Sequence, residues 1–165
     1  MTDNTIYRFN VPLLNGLEKS LSAYQNKVLL IVNTASQCGL TPQMEDLVEL
    51  KKEFEGLDFE ILAFPSNDFG GQEPLEGEGI IQFCENYGAN FHTFDKIRVR
   101  GPYAHPLYQF LADKKQNGKL SSKPRWNFHK FLIDRHGYVV DFFYPFTKPT
   151  SSKIKKRISR LLNEI

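Results

Sequence analysis

Apolar residues dominate two short segments in the first half of the chain, the continuous run Val28–Val32 and the segment Phe59–Phe64, which only Glu60 interrupts. Runs of this length are typical of strands that are buried on both faces of a sheet. Between the runs, Thr41 is a suitable N-cap and Pro42 suits the first position of a helix. Behind these two residues the apolar positions recur at helical spacing, at Leu47, Leu50 and Phe54. The pattern therefore predicts a strand, a helix and a second strand.

The second half of the chain predicts further helices and a hairpin. A helix ended by Gly88 has its apolar side formed by Ile80, Ile81, Cys84 and Tyr87. After it we expect a short strand at Ile97–Val99, a short helix at His105–Leu111, a hairpin from Phe128–Ile133 and Tyr138–Phe143, and an amphipathic closing helix. The order β-α-β-α and then β-β-α describes an α/β fold in which helices flank one central mixed β-sheet, the outline of a thioredoxin-like fold.

Composition limits the number of domains and the classes of function. The 165 residues fit a single domain, 1–165, and a hydrophobic content of 41% suffices for a core without disulfides. A net charge of +2 is too small to indicate nucleic-acid binding. No apolar run is long enough to span a membrane and no secretory leader is visible, so we expect a cytoplasmic location. Basic residues near the C-terminus are interpreted as the solvated face of the last helix, or alternatively as a patch for an acidic partner protein.

Cys38 is the strongest candidate for chemistry in the chain. The cysteines and histidines lack the spacing of metal ligands, so no metal or other cofactor is expected. Cys38 follows the first buried strand and precedes the helix that begins near Thr41, and α/β sheets gather their sites beyond the carboxyl ends of strands. A helix N-terminus also favours a thiolate. These features indicate a reactive thiol, although a lone cysteine is more often an inert buried one.

Three long segments resemble the active-site segments of the glutathione peroxidase family. They are Val32–Gln43 around Cys38, Phe64–Pro74, and Trp126–Phe131 with its continuation to Gly137. The shorter pieces Phe83–Gly88 and Ala104–Tyr108 agree in order and spacing, and the resemblance runs from about Tyr7 to Leu162. Three motifs in register are far more specific than one short pattern.

The resemblance implies a peroxidase whose site consists of Cys38, Gln72, Trp126 and Asn127. The thiolate of Cys38 would attack the O–O bond of hydrogen peroxide or of an organic hydroperoxide. The side-chain amides of Gln72 and Asn127 and the indole N–H of Trp126 are donors that can stabilise the thiolate and orient the peroxide. Because none of them is a strong acid or base, we expect bound water to move the proton. If each residue is considered apart from the others, Trp126 is interpreted as a core residue and Gln72 as a turn residue.

The resemblance also places Cys84 at the position of the resolving cysteine of family members that are reduced by thioredoxin. Cys84 would then condense with the sulfenic acid of Cys38 to form a disulfide. Its place on an apolar helix face also suits a small buried residue, and a start inside a helix would require local unwinding. Two alternatives remain open: a peroxidase that uses glutathione directly, with Cys84 as a bystander, and a redox sensor that relays oxidation from Cys38 to a partner protein.

Some positions differ from the usual pattern of the family. Ser66 replaces a cysteine of many relatives, His92 replaces a frequent Pro, and Asp68 replaces a common Gln and so places a charge near the site that could change the choice of reductant. The residue at position 38 is Cys rather than the selenocysteine of some relatives, so weaker peroxidase chemistry is expected. The chain also lacks the insertion that accompanies tetramers in the family, so we expect a monomer.

Overall fold

The structure is a computed structural model that describes residues 3–164, and within them the fold is built around one mixed sheet of five strands. The strands of this sheet are β3 (Val28–Thr34), β4 (Phe59–Pro65), β5 (His92–Thr93), β6 (Lys130–Ile133) and β7 (Val139–Phe143). Their order across the sheet is β5-β4-β3-β6-β7. β3 pairs in parallel with β4 and antiparallel with β6. The expected mixed α/β architecture is therefore confirmed.

In the described part of the chain, five α-helices connect and flank these strands. They are α1 (Gln43–Glu53), α2 (Gly77–Asn86), α3 (Pro106–Ala112), α4 (Lys114–Asn117) and α5 (Ser152–Asn163). α3 begins at the proline that the sequence indicates, and the His105 side chain accepts a hydrogen bond from the N–H of Leu107 at its start. The closing helix α5 is capped by Ser151, whose hydroxyl accepts a hydrogen bond from the N–H of Ile154.

The central strands are buried on both faces, and their side chains alternate between two apolar clusters. Every residue of β3 and of β4 is buried. Leu29 and Ile31 belong to a cluster that includes α3 side chains, whereas Leu30 and Val32 belong to a second cluster with α1 and α5. Alternation follows from the period of two along a strand, so a continuous apolar run supplies both faces of the sheet.

Two details of the predicted elements are wrong. α1 begins at Gln43 with Pro42 as its N-cap, one residue later than predicted, and the Thr41 hydroxyl bonds within the preceding loop instead of capping the helix. Ile97–Val99 forms no strand: the Ile97 N–H donates to the Pro65 carbonyl, and the Val99 N–H donates to a side-chain carboxylate. The strand at this edge is β5, which pairs in parallel with β4.

A small hairpin near the N-terminus was not predicted. Its strands are β1 (Asn10–Pro12) and β2 (Glu18–Ser20), which pair antiparallel. Both strands are only three residues long, and most of their side chains are not buried, so no apolar pattern in the sequence predicts them.

Candidate active site

Three chain segments meet at one end of the central sheet. β3 and β4 run in parallel and end in register at Thr34 and Pro65, so the loops that follow them begin side by side. β6 runs the other way, with Lys130 opposite Val32, so the segment that precedes β6 lies at the same end. These three segments are the three that carry the predicted catalytic residues. The topology therefore brings the predicted residues to one end of the sheet.

Cys38 lies in the loop between β3 and α1, where its thiol is almost enclosed. The residue is only 8% exposed. The backbone N–H of Leu40 points at its Sγ atom, at a donor–sulfur distance of 3.3 Å. A donor directed at sulfur stabilises the thiolate, the form that acts as a nucleophile. The loop thus provides in part the anion-stabilising backbone groups that we expected from a helix start.

Thr41 fixes the shape of the Cys38 loop. Its hydroxyl accepts a hydrogen bond from the Cys38 N–H at 2.9 Å and donates one to the Ala35 carbonyl at 2.8 Å. This residue was interpreted from the sequence as a helix cap only. A hydroxyl residue three positions after a turn residue commonly bonds backbone groups within the turn, and that signal could have identified its role.

Gln72 lies within the loop that follows β4 and is hydrogen-bonded to both neighbouring segments. Its backbone carbonyl accepts a hydrogen bond from the Gln37 N–H at 2.9 Å, next to Cys38. Its side-chain Oε1 accepts a hydrogen bond from Asn127 Nδ2 at 3.0 Å. Gly70 and Gly71 precede it with φ of +68° and +63°, a backbone region in which only glycine is unstrained. The tight turn of these glycines brings Gln72 to the site.

Asn127 is fully buried, and the backbone beside it is strained. Phe128 adopts a φ of +68°, which is costly for a bulky residue. A hydrogen bond from the Phe128 N–H to the Asn33 carbonyl, at 2.7 Å, holds this conformation. Within residues 3–164 the Asn127 Oδ1 atom is buried without a hydrogen-bond partner. Asn127 therefore keeps an unused acceptor while its amide nitrogen holds Gln72.

Trp126 is partly buried and packs against both apolar clusters, one of which contains Cys38. Its backbone carbonyl accepts a hydrogen bond from Asn33 Nδ2 at 3.1 Å. Its indole ring lies against Phe69, with ring centroids 5.8 Å apart. The packing role that a single tryptophan suggests and a role beside Cys38 are both compatible with this position.

Cys84 lies on α2 as a free, half-buried thiol, and Cys38 is also free. It packs against the same apolar cluster that contains Cys38. Its Sγ atom is 3.5 Å from the Thr93 hydroxyl, to which it donates a hydrogen bond. Burial raises the pKa of Cys84, the hydrogen bond with Thr93 opposes that shift, and the charge of Glu73 adds to it. The thiol is therefore held mainly in its protonated form while α2 is folded.

Glu73 is a buried carboxylate beside the site that the sequence analysis did not single out. It is only 1% exposed, and its Oε1 atom accepts a hydrogen bond from the Ser36 hydroxyl at 2.7 Å. Burial raises its pKa, while its hydrogen bonds and the charge of Lys96 act in the opposite direction. Glu73 ties the second loop to the Cys38 loop. Its direct attachment to Gln72 in the sequence was the only available signal.

Two of the residues that depart from the family pattern are bound within the structure. The Asp68 carboxylate forms an ion pair with Arg98, with 2.8 Å between Oδ1 and Nε. His92 lies on β5, where its Nδ1 atom is 2.6 Å from the Tyr24 hydroxyl and its Nε2 atom is 3.5 Å from the Glu60 carboxylate. Burial lowers the pKa of His92, and Glu60 acts in the opposite direction.

The arrangement combines a nucleophilic sulfur with donors that can hold an anion. In the part of the chain that the structure describes, no group of three or more His, Cys, Asp or Glu side chains is arranged to bind a metal ion. No helix among the described residues has the length and apolar character needed to cross a bilayer. The Cys38 loop is hydrogen-bonded to that of Gln72, Gln72 is bonded to Asn127, and Trp126 packs on the apolar cluster that contains Cys38. Such donors can stabilise the charge that moves from sulfur to a leaving oxygen, so the arrangement is compatible with attack on an electrophilic oxygen.

Comparison with known proteins identifies the family. The model of the glutathione peroxidase family matches residues 6–112, more than half of the chain. The glutathione peroxidase homolog BsaA of Halalkalibacterium halodurans is 50% identical over 159 residues, which cover 96% of this chain and 99% of that protein. The crystal structure of Trgpx in its apo form is 36% identical, has a TM-score of 0.75, and covers 97% of each chain.

A more distant structure bears on the fold alone. A thiol:disulfide interchange protein of the thioredoxin family from Chlorobium tepidum is only 12% identical, but it superposes with a TM-score of 0.70 over 96% of each chain. The expected thioredoxin-like fold is therefore confirmed. Together with the matches over nearly the full length, these findings show that the chain belongs to the glutathione peroxidase family and is a peroxide-reducing thiol peroxidase.

Proposed function

We propose that Cys38 is the nucleophile, that Gln72, Trp126 and Asn127 are its catalytic partners, and that Cys84 resolves the oxidised form for reduction by thioredoxin. The observation that carries the proposal is the Leu40 N–H directed at the Cys38 sulfur, in a loop hydrogen-bonded to that of Gln72. The bond from Asn127 to Gln72 supports it, because it fixes two amide side chains beside that loop. The substrates are hydrogen peroxide and organic hydroperoxides.

In the first step the thiolate attacks the nearer oxygen of the hydroperoxide. A sulfur–oxygen bond forms, the O–O bond breaks, and the sulfur is oxidised by two electrons to a sulfenic acid. The departing oxygen carries negative charge and takes a proton, so it leaves as water or as an alcohol. The amides of Gln72 and Asn127 and the indole of Trp126 stabilise this charge by donating hydrogen bonds.

In the second step Cys84 condenses with the sulfenic acid. Its sulfur attacks the Cys38 sulfur, a disulfide forms, and the hydroxyl group leaves as water. Because Cys84 begins on α2, the two Cα atoms must approach to ~4.4–6.8 Å, and we infer that α2 unwinds locally to allow this. A dithiol reductant then restores both thiols and is itself converted to a disulfide.

Thioredoxin suits this cycle because its product is an intramolecular disulfide, which a dithiol protein reduces by exchange. The half-buried free thiol of Cys84 against the Cys38 cluster favours thioredoxin over direct use of glutathione. A cytoplasmic monomer fits the proposal, since thioredoxin and glutathione keep thiols reduced in the cytoplasm. No nucleic-acid partner is part of the proposal.

The test is the steady-state consumption of NADPH with hydrogen peroxide or cumene hydroperoxide. Thioredoxin with its reductase is compared with glutathione and its reductase, for the wild type, Cys38→Ser and Cys84→Ser. We expect turnover with thioredoxin that requires both cysteines. Activity that survives in Cys38→Ser would refute the assignment of the nucleophile.

The same assay separates the alternatives. Turnover with glutathione that survives the loss of Cys84 would make Cys84 a core residue and the enzyme a glutathione-dependent peroxidase. Rapid oxidation of Cys38 without turnover in either system would favour the sensor. In that case Cys84→Ser should trap a mixed disulfide with a protein other than a reductase.

A further inference from the structure

Asp68 is hydrogen-bonded to a neighbouring segment through both oxygens of its carboxylate. Its side chain is only 7% exposed although it lies in a loop. Oδ1 accepts a hydrogen bond from Arg98 Nε at 2.8 Å, and Oδ2 accepts bonds from the backbone N–H groups of Val99 at 2.7 Å and Arg100 at 3.3 Å. Hydrogen bonds to an ionised acceptor are stronger than neutral ones. The first part of the loop after β4 is therefore tied at Asp68 to residues 98–100.

Arg100 closes this connection from the other side. Its Nη2 atom donates a hydrogen bond to the Asp68 carbonyl at 2.8 Å. Its guanidinium group lies over the Phe69 ring, 4.6 Å from the centroid, which is a cation–π distance. We call Asp68, Arg98 and Arg100 the clamp. The clamp holds both the backbone of Asp68 and the ring of the next residue.

The residues next to the clamp form a wall for the Trp126 indole. Phe69 contacts the indole from one side. A Cβ atom on Gly70 would lie 3.4 Å from Cη2 of Trp126 and 3.6 Å from Cγ of Gln72, so the backbone of Gly70 passes close to both side chains. A shift of Asp68 would therefore be transmitted through two residues to Trp126 and Gln72.

We propose that Asp68 and Arg100 are positioning residues, which hold Phe69 and Gly70 against Trp126 and so fix the indole and the Gln72 amide at Cys38. The inference rests on the proposed function of these two donors. The charge at position 68 therefore acts on the peroxide step through the geometry of the site. It is not a free charge that a reductant would meet, because the clamp neutralises it.

The test compares Asp68→Asn with the matched control Asp134→Asn. Asp134 also accepts hydrogen bonds from two backbone N–H groups, those of His136 and Tyr138, but it follows β6 at the opposite end of the sheet from Cys38. For each variant we would measure the rate constant for oxidation of Cys38 by hydrogen peroxide and the thermal stability. The chain contains one tryptophan, so acrylamide quenching of its fluorescence reports on Trp126 alone.

We expect Asp68→Asn to lower the rate constant by about tenfold to hundredfold, the range that small displacements at a site produce, and to make Trp126 more accessible to acrylamide. Asp134→Asn should change neither. Loss of stability in Asp68→Asn with an unchanged rate and unchanged quenching would overturn the proposal.

A second variant keeps the test decisive if Asp68→Asn does not fold. Arg100→Lys retains the charge but loses the planar group that bonds Asp68 and covers Phe69. It should lower the oxidation rate and increase quenching in the same direction, and wild-type values of both would refute the proposal. If the wild type itself does not react with peroxide, the proposed function fails, whereas the quenching comparison still decides whether the clamp holds Trp126.

Discussion

The stability of α2 should control how fast Cys84 reaches the oxidised Cys38. Cys84 lies in the last turn of this helix, and Ile80 is the only residue of α2 that is fully buried. Glu76 precedes the helix without forming a side-chain cap, and glycine occupies two of the first three positions. These features describe a helix that is held weakly, so its unwinding costs little free energy.

Gly79→Ala is the perturbation that strengthens α2 without crowding. Gly79 has no left-handed φ, and an added Cβ would meet only Leu75 side-chain atoms, at 3.5 Å, which is ordinary contact. Alanine in place of glycine stabilises a helix by about 0.5–1 kcal/mol. If α2 must unwind before the disulfide forms, that free energy slows disulfide formation by about twofold to fivefold.

The opposite variant and a control sharpen the test. Gln82→Gly removes the exposed Gln82–Asn86 hydrogen bond and weakens α2 by a similar amount, so it should speed disulfide formation. Ser159→Ala strengthens the exposed face of α5 and should have no effect on the rate. Each rate would be followed by Trp126 fluorescence after rapid mixing with peroxide. Equal rates of disulfide formation in Gly79→Ala, Gln82→Gly and the wild type would refute the unwinding step.

Three further predictions follow from single residues. Burial raises the pKa of Cys84, so its thiol is mainly protonated near neutral pH, and only the thiolate attacks. The rate of disulfide formation in stopped-flow traces should therefore increase up to about tenfold per pH unit between roughly pH 6.5 and 8.5. A rate that does not change with pH would contradict this. Asn127→Ala should lower the rate of Cys38 oxidation by about tenfold or more, because it frees Gln72 and removes a donor, and peroxide-consumption assays would measure it. Burial lowers the pKa of Lys130 to about 7. Above that pH the unfolded chain binds one more proton than the folded chain, because a free lysine titrates at pH ~10. The free energy of unfolding of the wild type should therefore rise relative to that of Lys130→Met from about pH 7 to 10, as urea titrations would measure.

The sequence was sufficient to predict the parts of the fold that depend on predominantly apolar segments. β3 and β4 are buried on both faces, so their side chains are apolar at nearly every position and the strands stand out. The structure also brings together the three segments that were expected to carry the site, because each directly follows or precedes one of the central strands.

The details of the fold that the sequence did not predict depend on side chains, which form hydrogen bonds with backbone groups that a strand or a helix would otherwise pair. Ile97–Val99 has the composition of a strand, but its amides bond to the carbonyl of Pro65 at the very end of β4 and to the Asp68 carboxylate, so no strand forms. Thr41 is a residue type that commonly caps helices, but its hydroxyl forms its hydrogen bonds within the Cys38 loop. Such choices are decided by residues that are distant in the sequence or by the exact path of a loop, and local patterns do not carry that information.

The nucleophilic role of Cys38 is tested most directly by mass spectrometry after addition of one equivalent of hydrogen peroxide. The reduced wild type and Cys84→Ser would be treated in the presence of dimedone, which reacts with sulfenic acids. We predict a dimedone adduct on Cys38 in Cys84→Ser, and a disulfide between Cys38 and Cys84 in the wild type. Consumption of the peroxide while Cys38 remains an unmodified thiol would contradict the account.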